Sequence, residues 1–214
     1  MLGLTPSTLI AHLVVLLTAF AVHEFAHAWT ADRFGDMTPR QNGRLTLNPL
    51  AHLDPIGSLL MLVAGFGWAK PVPINPYALQ RRSSAAVMLV SLAGPLSNLL
   101  MAIVVAIPFQ LGLVSAYQAQ MDVWTASEHF LPTIPQLMYV FVYVNLLLML
   151  FNLIPIFPLD GEKIAAYFFP PAWVRIMESI RPYAPIVLLG LVFVGALGWI
   201  LTPALTFLMN LLVG

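Results

Sequence analysis

Of 214 residues, 60% are hydrophobic and 8% charged, and the mean hydropathy is +0.88. That much apolar surface exceeds what one soluble core can hide, so an ordinary soluble domain is excluded and the bilayer is the expected solvent. Nine basic and nine acidic residues cancel, and the basic ones fall in short clusters rather than along a stripe, so nucleic acid is not an expected partner. There is no cysteine. Disulfides and thiolate metal sites are therefore excluded, and any zinc has to be held by imidazole and carboxylate, a donor set that fits a catalytic site better than a structural one.

Apolar runs fall at about 7–30, 56–66, 85–114, 136–157 and 184–212. A helical crossing needs roughly 20 apolar residues at about 1.5 Å each, a length that all but the second run reach. The expected fold is an all-α polytopic membrane protein: about four transmembrane helices plus a re-entrant or interfacial segment with short β-like strands. It forms one membrane-embedded domain over 1–214, with a core at about 7–165 and a C-terminal helix or helices at about 184–212.

The first run, Leu9 to Val22, is apolar on every face, as a lipid-spanning segment is. It lacks the basic flank of a cleaved leader and is expected to be retained. It leads into His23-Glu24-Phe25-Ala26-His27, where Glu24 is the only Asp, Glu, Lys or Arg before Asp32. The second run is short and passes into Gly67-Trp68-Ala69-Lys70-Pro71-Val72-Pro73-Ile74-Asn75-Pro76, which resists helix formation. We expect it to re-enter or lie at the interface, about 53–76, with Arg44 to Leu47 and Val72 to Ile74 as candidate strands.

Loop charge supports that reading, because basic residues gather on the cytoplasmic side. Arg33, Arg40 and Arg44 precede the short run, and Lys70, Arg81 and Arg82 follow it, so a segment that dips in and returns keeps both clusters on one side. The loop at about 115–135 has Asp122 and Glu128 and no Lys or Arg, whereas the next carries Lys163, Arg175 and Arg181. The alternation places the amino terminus outside, with the first and fourth runs travelling inward. Five or six full spans is the alternative. In the last run Pro203 either kinks one span or divides it.

On a helix, residues four apart stand one turn above each other. His23 and His27 can therefore hold one zinc while Glu24 reaches the water on that metal. Ionisable groups at membrane depth cost several kcal/mol unless paired or metal-bound; the alternative is a polar patch packed against other helices. A catalytic zinc takes three protein ligands and leaves one position open. Asp160 is the candidate for the third, since it ends the fourth run in Asn152-Leu153-Ile154-Pro155-Ile156-Phe157-Pro158-Leu159-Asp160-Gly161. Its prolines break the helix, and irregular backbone at this depth is tolerated where it is buried or lines a wet cavity. Parallel first and fourth runs let HExxH and Asp160 meet. A turn aspartate before glycine is the other reading of Asp160. His12 is expected to contact another span, and Glu128 and His129 to lie solvated in the outer loop.

Together these residues resemble the site-2 protease family of intramembrane zinc metalloproteases. The likeness covers about 10–165 and rests on His23 to His27, on the N-x-x-P-x-x-P-L-D-G pattern at 152–161, and on Ala93-Gly94-Pro95-Leu96-Ser97-Asn98. That last segment is similar to the small-residue motif of the family's middle core helix, where packing is as good a reading as catalysis. The resemblance implies one Zn2+ per chain on His23, His27 and Asp160, Glu24 as general base, and Asn152 near the substrate carbonyl. The implied reaction is peptide hydrolysis in or near transmembrane segments of membrane-protein substrates. Asn98 is a further candidate for a supporting role. Asn48 to Gly57 resembles a compact prokaryotic branch of the family, and we expect His52 and Asp54 to orient a ligand or cap the re-entrant segment rather than to coordinate. No PDZ-like or nucleotide-binding insertion is expected. Implied partners are a transmembrane protein substrate and the lipid bilayer, with room for a homo-oligomer. The implied location is a prokaryotic cell membrane, with the site toward the cytoplasm. An ion- or proton-coupled transporter and a catalytically silent relative are the alternative functions.

Overall fold

The computed structural model describes residues 5–54, 70–125 and 130–214. Most of the expected re-entrant segment lies outside the described residues, as do Glu128 and His129. Helix α1 (Pro6–Arg33) starts where the Thr5 hydroxyl accepts the Thr8 N–H and Pro6 takes the first helical position, whose N–H has no helical partner in any case. A short α2 (Thr38–Gln41) and a 3₁₀ turn at Pro49–Ala51 follow. Helix α3 (Pro76–Arg82) is capped by the Asn75 side chain, which accepts from Tyr77 N and Ala78 N. Then come α4 (Ala86–Gln110) and α5 (Ala116–Trp124). Helix α6 (Ile134–Asn152) opens on a capping box in which Thr133 and Gln136 satisfy each other's backbone N–H. The chain ends with α7 (Asp160–Phe168), α8 (Pro171–Ile180), α9 (Ala184–Phe193) and α10 (Ala196–Leu212).

Among the described residues α1, α4 and α6 are long and apolar enough to cross a membrane, and α8 with α9, bent by 75°, adds a fourth crossing if the pair is one span. The protein is a mostly helical, multi-pass membrane protein. The described residues contain no sheet: Arg44 to Leu47 and Val72 to Ile74 are irregular, and Leu53 makes a single β-bridge. The last run divides at Gly195, which stands at φ +72°, and not at Pro203, which lies inside α10. Glycine enters the left-handed region without a Cβ penalty, whereas one proline within an apolar helix forfeits a single backbone bond.

Helices α1 and α4 run antiparallel, with Ala31 against Ala86 and Val90, whereas α1 and α6 run parallel, with Ala11 and Val15 against Val140 and Val144. At the start of both α1 and α6 the Ser7 hydroxyl donates to Gln136 Oε1 at 2.9 Å. Alanine recurs at these contacts (Ala11, Ala19, Ala28, Ala31, Ala102 and Ala106 are all buried). Acyl chains are as apolar as side chains, so helices in a bilayer associate through close backbone approach, which alanine and glycine permit. Farther along, Ala102, Ala106 and Phe109 of α4 meet Val142, Leu146 and Met149 of α6, with Leu205 and Met209 of α10 closing the cluster. The parallel pairing carries the end of α1 and the segment after α6 to the same end of the bundle.

Candidate active site

His23 and His27 stand one turn apart on α1, their rings in edge contact with centroids 4.6 Å apart. Asp160 reaches them from the first turn of α7. The chain turns sharply after Asn152, and a Cβ on Gly161 would lie 2.3 Å from the Ile154 carbonyl oxygen and 2.4 Å from that of Leu153. Only glycine lets α7 start so close to the end of α6. Asp160 Oδ2 then lies 3.2 Å from His23 Nε2 and 3.1 Å from His27 Nε2, and the two Nε2 atoms are 3.0 Å apart. All three side chains are buried.

Proton accounting decides what this cluster can hold. His27 Nδ1 donates to the Val90 carbonyl at 2.7 Å, and His23 Nδ1 donates to Asn98 Oδ1 at 2.6 Å. A neutral imidazole protonated at Nδ1 presents a bare lone pair at Nε2. With both rings neutral, two such lone pairs and a carboxylate oxygen converge, an arrangement that calls for a cation between them. Tetrahedral ligands at about 2.0–2.1 Å from a metal stand about 3.3 Å from each other, close to the separations found here. Among the described residues this trio is the group able to hold a metal ion.

Gly94 sits against both rings. A Cβ there would lie 2.4 Å from His27 Nε2 and 2.6 Å from His23 Cε1, so the small-residue motif of α4 serves the imidazoles as well as helix packing. Glu24, on the same turn of α1, is buried, and its Oε2 accepts the Val72 N–H at 3.2 Å. Val72 belongs to a strap, residues 70–75, fastened at both ends. Lys70 N donates to the His52 carbonyl at 2.7 Å, and Asn75 N donates to Asp36 Oδ2 at 2.6 Å. The buried Arg44 guanidinium adds hydrogen bonds to the carbonyls of Ala51 and Lys70. Strap, α1 and the start of α7 line a cavity of about 680 Å³, walled by Phe20, Leu148, Phe151 and Leu189 and reached by Asn152.

The other expected residues divide. Asn152 lines the cavity, and its amide also donates to the Leu148 carbonyl at 2.9 Å. Asn98 lies directly behind His23. His52 is buried outside the trio, and its Nε2 donates to the Thr46 carbonyl at 2.8 Å; Asp54 is half-buried where the described chain breaks off. His12 bonds to the Thr8 carbonyl of its own helix at 2.7 Å, and among the described residues not to another span, because a side chain four residues on can reach back to that oxygen. Sequence reading missed Asp36, Arg44 and Asn145. Asp36 looks like a solvated acid in a turn, yet it is 1% exposed and accepts two backbone N–H groups, those of Thr38 and Asn75.

The model of peptidase family M50 matches residues 11–194. YwhC of Bacillus subtilis, provisionally named a zinc metalloprotease, is 44% identical over 202 residues, 94% of this chain and 88% of that protein. Rip2 of Mycolicibacterium smegmatis, provisionally named likewise, is 33% identical over 197 residues, covering 88% of this chain and 66% of its own length. Rip2 of Mycobacterium tuberculosis is 31% identical over 191 residues, 86% of this chain and 67% of that one. No solved structure matches the chain. Since the family match takes in every residue that converges on the cavity, from His23 in α1 to Asp160 in α7, this chain belongs to peptidase family M50.

Proposed function

We propose that this protein is an intramembrane zinc metalloprotease that hydrolyses peptide bonds in or near transmembrane segments of membrane-protein substrates. The observation that carries the reading is the convergence of His23 Nε2, His27 Nε2 and Asp160 Oδ2 beside the buried Glu24. Zinc held by these three atoms would supply an acidified water and polarise a carbonyl. The remaining work falls to the chain. Glu24, with Oε2 held by Val72 N–H, keeps Oε1 for a proton from the attacking water and returns that proton to the departing amine nitrogen. Asn152 offers a polar group on the cavity wall for the substrate carbonyl, and the apolar walls keep bulk water from the reacting bond. A helical substrate hides its carbonyls in its own hydrogen bonds, so it has to unwind before one of them can reach the site.

Metal analysis tests the assignment. Purified wild type is expected to hold about one zinc per chain by the three-ligand rule and to lose proteolysis in chelator. Asp160→Ala is expected to lower zinc affinity by more than the roughly 10–100-fold that follows loss of a merely supporting contact. Unchanged affinity in that variant would remove Asp160 from the ligand set, and cleavage indifferent to chelation would remove the metal. Orientation is tested separately. The distribution of Arg and Lys supports a site facing the cytoplasm of a prokaryotic cell, and the native chain has no cysteine. Gln41→Cys, at an exposed position in α2, should react with an impermeant maleimide only from the cytoplasmic face. Labelling of intact cells from outside would invert the topology.

A further inference from the structure

Behind the trio lies a file of hydrogen bonds that the catalytic chemistry does not use. His23 Nδ1 meets Asn98 Oδ1 at 2.6 Å, Asn98 Nδ2 meets Asn145 Oδ1 at 2.9 Å, and Asn145 Nδ2 meets the Phe141 carbonyl at 2.9 Å. Asn98 and Asn145 are fully buried, so no water can substitute for any partner. The file crosses α1, α4 and α6, the three helices of the core.

Its polarity is set at the far end. The Phe141 carbonyl can only accept, so the Asn145 atom facing it has to be the NH2 group, and the oxygen of Asn145 faces α4. That oxygen in turn demands the NH2 of Asn98, which leaves Asn98 Oδ1 toward His23. In the neutral ring an acceptor beside Nδ1 holds the imidazole proton there and leaves Nε2 bare. If Asn98 flipped alone, its oxygen would face the Asn145 oxygen, and its NH2 would drive the His23 proton to Nε2, pointing an N–H at the metal position.

We propose that Asn145 is a positioning residue that sets the tautomer of His23 through Asn98 and so prepares the ring to bind metal. The proposal rests on the metalloprotease reading above for its consequence, but the tautomer is a property of the metal-free protein. Asn145→Leu keeps the approximate volume and removes both hydrogen bonds. In Asn145→Asp a protonated carboxyl offers the same donor to Phe141 and the same acceptor to Asn98. Long-range 1H–15N spectra of metal-free, histidine-labelled full-length protein report which ring nitrogen carries the proton. Wild type and the Asp variant are expected to show His23 protonated at Nδ1, and the Leu variant a mixture.

Zinc titration against a competing chelator is the second readout. It should show the Leu variant about 10–100-fold weaker, the range found when a partner behind a metal-bound histidine is lost, and the Asp variant close to wild type. A Leu variant that keeps wild-type helicity, tautomer and zinc affinity overturns the proposal, as does an Asp variant no better than Leu. Wild type that binds no zinc overturns the metal reading instead, and the tautomer spectra still decide the relay.

Discussion

Gly94→Ala is expected to weaken metal binding sharply while leaving the helical content close to wild type. The added methyl would stand 2.4 Å from His27 Nε2 and 2.5 Å from its Cε1, more than 1 Å inside normal contact distance. Neither ring has somewhere to go. His27 is tied through Nδ1 to Val90, on the same helix as Gly94, and His23 is tied to Asn98 one turn farther along it. Overpacking of a dense interior costs about 1–3 kcal/mol, and here the strain falls directly on two of the three atoms that converge. We expect zinc affinity to fall by more than about 100-fold, roughly 3 kcal/mol on the scale where each tenfold is about 1.4. Chelator competition measures the affinity and far-ultraviolet circular dichroism the helicity. Near-wild-type affinity in the alanine variant would mean that the rings do not lie against α4 as described.

Glu24→Gln is expected to separate binding from turnover. The amide has nearly the shape of the carboxylate, and its oxygen can still accept the Val72 N–H, so the strap should stay in place and zinc should bind within about threefold of wild type, since no ligand in the trio of three is touched. What is lost is a group that can take a proton from water and give it up again. General-base contributions of about 10²–10⁴-fold set the expected minimum loss in cleavage of a transmembrane substrate. Substrate capture should survive, so the variant should copurify with uncut substrate. Wild-type cleavage by this variant would rule Glu24 out as the base.

Much of the architecture could be read in advance because lipid imposes a simple rule. An apolar stretch of sufficient length that satisfies its own backbone crosses the membrane, and α1, α4 and α6 correspond to three of the runs legible in the sequence. The spacing of His23 and His27 was equally local, since a helix of 3.6 residues per turn stacks residues four apart whatever surrounds it. The break in the last run was harder. Proline announces itself in sequence, but the turn was made at Gly195, where positive φ costs nothing, and a chain of letters does not say which glycine will use that freedom.

The groups least visible in the sequence are backbone atoms and the side chains that meet them. The Val90 carbonyl holds His27, the Val72 N–H holds Glu24 and the Phe141 carbonyl orients Asn145. Every residue carries such groups, so residue identity cannot mark the few that matter. Asn145, a polar residue in an apolar helix, and Asp36, an acid in a loop, carry no mark in spacing or residue type that singles them out.

The sequence by itself therefore determined the solvent of this protein, the helical periodicity that pairs His23 with His27, and the residue types from which a metal could be held. Only the tertiary structure decided that Asp160 comes within 3.2 Å of both imidazoles, that Gly94 leaves them room, and that each ring turns its Nδ1 to an acceptor on the side away from the cavity. The first set depends on local geometry and solvation, which composition and spacing encode. The second depends on contacts between atoms up to 137 positions apart, and these exist only once α1, α4 and α6 have packed.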